Sequence, residues 1–157
     1  MKQDRFLTGI LIGIAILVVI ALAVFFSRRG TQTYISEETP EGVVHNYVLA
    51  VLNKNYQKAY GYLADLANKP TYEQFRDAFL KGSVNPNNSG IDVGKSEISG
   101  DTASVEVALI YNQSDPFSTG YRDVQHATLV KQQATWKLTS MPSYYFWDYS
   151  WYQELPK

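Results

Sequence analysis

The sequence predicts an α+β fold in which one N-terminal transmembrane helix is followed by three helices packed on a four-stranded antiparallel sheet. Three observations carry this. Residues 6–26, FLTGILIGIAILVVIALAVFF, are uncharged, with Thr8 the one polar side chain. Apolar residues then recur at helical spacing from Thr39 to Gly82, and alternate with polar ones from Ile91 to Met141.

The apolar run Phe6–Phe26 would extend about 31 Å as a helix, roughly the thickness of a bilayer's hydrocarbon core. Lys2, Asp4 and Arg5 stand before it and Arg28 and Arg29 after it. A cleavable signal peptide would be shorter in its apolar part. Ala21-Leu22-Ala23 has the small-x-small form of a cleavage site, but Val24, Phe25 and Phe26 continue the run beyond it. The expectation is a retained single-pass anchor over 6–27, behind a flank at 1–5, with the lipid bilayer as partner of Phe6–Phe26. Gly9 and Gly13 form one GxxxG, a pattern that lets two helices approach closely, so a weak homodimer through them is a further expectation. Lys2 and Arg5 balance Arg28 and Arg29, and the free α-amino group tips the N-terminus towards the cytoplasm. The domain is therefore expected outside the cytoplasm, at the cell membrane.

Residues 28–38 read as a short polar linker. A single domain over 39–143 follows, then an aromatic tail over 144–157. The chain of 157 residues has formal charge −1. Setting aside Lys2, Arg5, Arg28, Arg29 and Asp4 leaves ten basic and fourteen acidic residues, a formal charge of −4 for the rest. No Lys/Arg cluster occurs in it, which argues against a nucleic-acid partner. With no cysteine, disulfides and thiolate metal sites are excluded.

Thr39-Pro40-Glu41 combines a cap, a first-turn proline and an acid at the positive end of the helix dipole. Val43, Val44, Tyr47, Val48, Val51 and Leu52 make one apolar stripe to about Leu52. Asn53-Lys54-Asn55 breaks the pattern, and a second helix is expected over 56–66. A third starts at Pro70-Thr71, with Tyr72, Phe75, Ala78 and Phe79 as its buried side, and Gly82 ends it. Ser83 to Gly90 is turn-forming. Ala103, Val105, Val107, Leu109 and Tyr111 then alternate with Thr102, Ser104, Glu106, Ala108 and Ile110, the period of a half-buried strand. Ser99-Gly100-Asp101 joins this strand to residues 91–98, and Gln132-Gln133 joins 122–131 to 134–141.

This order of elements resembles the nuclear transport factor 2-like superfamily, with its curved sheet wrapped around helices as a cone. Asn53-Lys54-Asn55-Tyr56-Gln57-Lys58-Ala59-Tyr60, Tyr72-Glu73-Gln74-Phe75 and Trp136-Lys137-Leu138 are similar to junctions in small bacterial members, many tethered by one N-terminal helix. The likeness covers about 39–141 and consists of packing residues, so it speaks to fold rather than activity. Enzymes of that superfamily carry an Asp or His base inside the cone. No residue here matches those bases by motif, so the resemblance assigns no catalytic residue.

Two histidines occur, His45 beside the first stripe and His126 mid-strand. Facing the cone, His126 could act as a base near neutral pH; otherwise it is an ordinary sheet-surface histidine. Asp92, Glu97, Asp101, Glu106 and Asp123 are scattered, with Glu97 and Glu106 as possible cross-strand neighbours on the polar face. Two histidines without cysteine make no metal site, and no cofactor signature occurs. Asn87-Asn88-Ser89 and Asn112-Gln113-Ser114 are formal sequons in an Asn-rich chain.

The densest remaining signal is the tail from Tyr144 to Tyr152, in which seven of nine residues are aromatic. If extended, it presents Tyr145, Trp147, Tyr149 and Trp151 on one face. Such rings cap a core or contact a membrane, glycan or protein partner. Trp147 is expected to be buried and Trp151 exposed. The functional expectation is a non-enzymatic binding or accessory domain at the envelope, acting in assembly, scaffolding or sensing. The alternative is a cone-pocket enzyme of isomerase, dehydratase or hydrolase type.

Overall fold

The computed structural model describes residues 5–28, 33–86, 90–111 and 121–153, which fall into two compact units dividing between Thr33 and Tyr34. Both sequons and the expected loop Asn112–Gly120 lie outside the described residues, wholly or in part.

The first unit is helix α1, Arg5–Arg28. Its described side chains, residues 8–24, are all exposed. Among the described residues no helix is long and apolar enough to cross a membrane. The transmembrane span expected over 6–27 is corrected accordingly. A Cβ at Gly9 or Gly13 would meet nothing within 4 Å, so neither glycine is needed for packing within the chain.

The second unit is α+β, with helices α2 (Pro40–Leu52), α3 (Tyr56–Gly61) and α4 (Tyr72–Leu80). Strands β1 (Gly90–Ser99), β2 (Thr102–Tyr111), β3 (Tyr121–Gln132) and β4 (Thr135–Ser140) form an antiparallel meander in the order β1-β2-β3-β4. Thr39 caps α2, its hydroxyl accepting the Gly42 N–H, with Pro40 in the first turn. The helix is buried nearly all round rather than along one stripe: Val43, Val44, Tyr47, Val48, Leu49, Ala50 and Val51 are all in the core.

Helix α3, capped by Asn55, stops at Gly61 rather than running to Leu66. The chain leaves the helix because its backbone has a better partner. Leu138 donates its N–H to the carbonyl of Tyr62, and Ala64 donates to the carbonyl of Leu138, so residues 62–64 cover the free edge of β4. Helix α4 begins with a reciprocal capping box. The Gln74 N–H donates to the Thr71 hydroxyl, and the Thr71 N–H to the Gln74 side-chain carbonyl. Gly82, at φ 80°, turns the chain after it.

One face of the sheet packs on the helices through Ala103, Val105, Val107 and Leu109 of β2, Ala127 and Leu129 of β3, and Trp136 and Leu138 of β4. Tyr47, Phe75, Phe146, Leu63 and Leu109 fill the space between the layers and are all but fully buried. In β1 the register shifts between Val93 and Ser96. At this bulge the Glu41 carboxylate accepts the Ser96 N–H at 2.9 Å. Burial pushes the Glu41 carboxyl up, but hydrogen bonds from Ser96, its own backbone and Thr39 bring it below the usual range. The strand registers also correct the expected Glu97–Glu106 pairing: Glu97 stands opposite Ser104, and Glu106 opposite His126.

The linker boundary is corrected too. Residues 34–38 belong to the domain. Ile35 donates its N–H to Asn46 Oδ1 at 2.9 Å, and Asn46 Nδ2 donates back to the Ile35 carbonyl at 2.8 Å. The Tyr62 hydroxyl donates to the Glu37 carboxylate at 2.6 Å. Asn46, fully buried, is held by these bonds, as a buried amide must be.

Candidate functional site: the groove beside the C-terminal segment

Residues 142–153 do not extend; they fold back over α2, α3 and α4 as a series of turns. Tyr144 and Tyr152 adopt positive φ, at 80° and 63°. The Tyr144 N–H donates to the Trp147 carbonyl, and the Asn85 N–H to the Tyr144 carbonyl. Two tyrosines then staple the segment down. Tyr47 donates its hydroxyl to the Phe146 carbonyl, and Tyr152 donates its own to the Ala64 carbonyl, both at 2.6 Å.

The rings divide by depth rather than by alternation. Trp147 is 3 % exposed and Trp151 7 %. Their centroids lie 4.9 Å apart at 70°, and Trp151 lies 4.9 Å from Phe75. Both indoles are therefore core, and the expectation that Trp151 is exposed is corrected. Its ring turns inward because α4 offers it Phe75 and Phe79. Tyr145 is half-buried against the core, whereas Tyr149 is 73 % exposed. The four residues expected on one face are thus separated, with Tyr149 alone outward.

His126 lies on the sheet face away from the helices, exposed, opposite Glu106. It has no access to the interior, which apolar side chains already fill. Among the described residues no group of acids and histidines is placed to hold a metal ion.

A groove of about 510 Å³ opens between α4 and the C-terminal segment, with Trp151 in its wall. Asn68, Gln74, Asp77 and Lys81 face it from one side, and Asp148, Ser150 and Gln153 from the other. Asn68, at φ 61°, turns the chain here and its carbonyl accepts the Tyr152 N–H. Asp148 Oδ1 accepts both the N–H and the hydroxyl of Ser150, closing a tight turn. Gln153 donates its amide to the Tyr149 carbonyl and fixes the backbone under that exposed ring. Lys69 and Lys81 bond Asp65 and Asp77 at 2.9 and 2.8 Å, and these ammonium groups hold both carboxyls below their usual range.

The groove therefore offers amide, carboxylate, hydroxyl and ammonium groups around an aromatic wall. Ser150 has Asp148 beside it, and no histidine stands among the described residues that line the groove. The arrangement suits hydrogen-bonded recognition. Sequence reasoning picked out Trp151 and Tyr149 but missed Asn68, Gln74 and Gln153, whose isolated polar side chains carry no pattern of their own.

No family model matches the chain, and no curated protein does. Among solved structures it is similar to a SEC-C motif containing protein from Rhodopseudomonas palustris, at 14 % identity and TM-score 0.46, over 68 % of this chain and 79 % of that one. The likeness to the nuclear transport factor 2-like superfamily drawn from the sequence is corrected: no family model and no curated protein carries it. The phrases that suggested it are local packing devices. Asn55 caps a helix, Ala59 and Phe75 fill the core, and Trp136 and Leu138 face it from the sheet. Any α+β core of this size needs such residues.

Proposed function

We propose that the domain is a non-enzymatic binding or accessory module that holds a polar partner in the groove between α4 and the C-terminal segment. The observation that carries this proposal is the division of the aromatic segment. Its indoles are spent on the core, while the exposed Tyr149 stands in the chain between Asp148 and Ser150, two of the unlike polar residues that line the groove. Exposed tyrosines beside amides and carboxylates are favoured contact residues, because one ring supplies area and directionality with little entropy to lose. The filled interior supports the same conclusion, since a cone-pocket enzyme needs space for substrate among its helices and sheet.

The test compares species retained by the immobilised wild-type chain with those retained by Tyr149→Ala and Asn68→Ala chains. A species held by the wild type and lost from both variants, at unchanged melting temperature, supports the proposal. Equal retention by all three chains overturns it.

A further inference from the structure

We propose that the slot formed by α2 and Tyr62, filled by residues 34–37, recognises an extended carboxylate-bearing peptide, and that its partner in trans is the same segment of a second copy of this chain.

Four features make the slot a recognition site. Asn46 uses both halves of its amide on the backbone of Ile35, at 2.9 and 2.8 Å, reading an extended chain as a neighbouring strand would. Gly42 leaves room for the chain to pass: a Cβ there would lie 1.9 Å from the Ser36 carbonyl oxygen. Two positions beyond the clasped residue, the Glu37 carboxylate accepts the Tyr62 hydroxyl at 2.6 Å and the Asn46 amide at 3.4 Å. Lys58 adds a contact at the other end, its ammonium 3.3 Å from the centroid of the Tyr34 ring.

The occupant follows from what holds the segment. Ile35 is 49 % exposed and Tyr34 39 %, so little apolar burial fixes residues 34–37. Backbone bonds and one carboxylate hold them instead, and an identical segment from another molecule makes those contacts equally well. Bends at residues 37–39, ahead of Pro40, supply a hinge at which the segment can swing away. Within one molecule the segment is tethered at high effective concentration, so the slot is closed in cis until that segment is weakened.

A labelled, end-capped peptide of residues 33–38 is titrated into the full chain in non-ionic detergent, which covers the apolar side chains of α1. The Glu37→Ala chain, whose own segment lacks the carboxylate, is expected to bind it at least about tenfold more tightly than the wild type. Replacing the peptide's residue-37 glutamate by alanine, or adding Asn46→Ala to the chain, is expected to remove the gain. Should Glu37→Ala not fold, Ile35→Pro releases the segment by deleting the N–H that Asn46 accepts. Equal affinity for variant and wild type, or indifference to the peptide's carboxylate, overturns the slot. Mixing the Asn46→Ala chain (segment intact, slot broken) with the Glu37→Ala chain (slot intact) is expected to give a 1:1 heterodimer by native mass spectrometry. Its absence overturns the second copy as occupant.

Discussion

The hydroxyl of Tyr47, in the middle of α2, donates to the main-chain carbonyl of Phe146 at 2.6 Å, across 99 positions of sequence. Tyr47 is fully buried and Phe146 equally so. This bond joins the first helix of the domain to its last segment, and places a phenol in the core with its one polar atom satisfied.

Replacing Tyr47 by phenylalanine keeps the ring and leaves the Phe146 carbonyl without its partner. A loss of about 1–3 kcal/mol in unfolding free energy is expected, the cost of one orphaned buried acceptor. Urea denaturation at pH 7 measures it. A change below about 0.5 kcal/mol would mean that water replaces the phenol.

The indoles and Tyr149 separate stability from contact. Trp147→Ala and Trp151→Ala should each cost about 3–5 kcal/mol, as other large core truncations do. Tyr149→Ala, at an exposed site, should stay within about 0.5 kcal/mol of wild type. Thermal melts of the three variants are decisive, and a mild Trp151→Ala would place that ring outside the core.

Alkaline pH should destabilise the domain through three phenols. Burial raises Tyr47 well above the ordinary value of 10.0, with Tyr152 adding to the shift. Burial also raises Tyr62, helped by the Glu37 carboxylate, and Tyr152, helped by Tyr60 and Asp65. An unfolded tyrosine loses its proton near pH 10 while the folded one keeps it, so the folded state binds more protons above that pH. Stability is therefore complete below pH 10 and falls as pH rises beyond it, by up to about 1.4 kcal/mol per unit for Tyr47 and by less for Tyr62 and Tyr152, which solvent screens in part. Urea midpoints between pH 8 and 11.5 test this. A flat profile to pH 11 would contradict it, and Tyr62→Phe should flatten the slope in part.

Gly42→Ala isolates the N-terminal segment from the rest of the core. The added methyl would lie 1.9 Å from the Ser36 carbonyl oxygen, so residues 34–37 must move or α2 must shift its first turn. Hydrogen exchange at the Ile35 amide should quicken by at least about tenfold while the β2–β3 amides stay protected, a local opening rather than global unfolding. Uniformly faster exchange would show that the segment and the core unfold together.

The sequence alone determined the elements whose causes are local. Thr39-Pro40, Asn55 and Thr71 with Gln74 announce three helix starts, because caps act within one turn. The alternation from Thr102 to Tyr111 announces a half-buried strand, because the pleat sets its period. Tertiary structure decided what depends on distant partners. Helix α3 stops early because Leu138, more than seventy residues on, binds the backbone of residues 62–64. The register of β2 against β3, not the spacing of acids, sets Glu106 opposite His126. Trp151 is buried because Phe75 and Phe79 await it, a fact that no alternation within the tail could reveal. Residues 34–38 look like a linker since their side chains are polar or exposed, and polarity marks a solvated chain unless a buried amide such as Asn46 binds its backbone. Hydrogen bonds and ring contacts between remote residues leave no periodic trace, so the groove and the slot became visible only once the chain was folded.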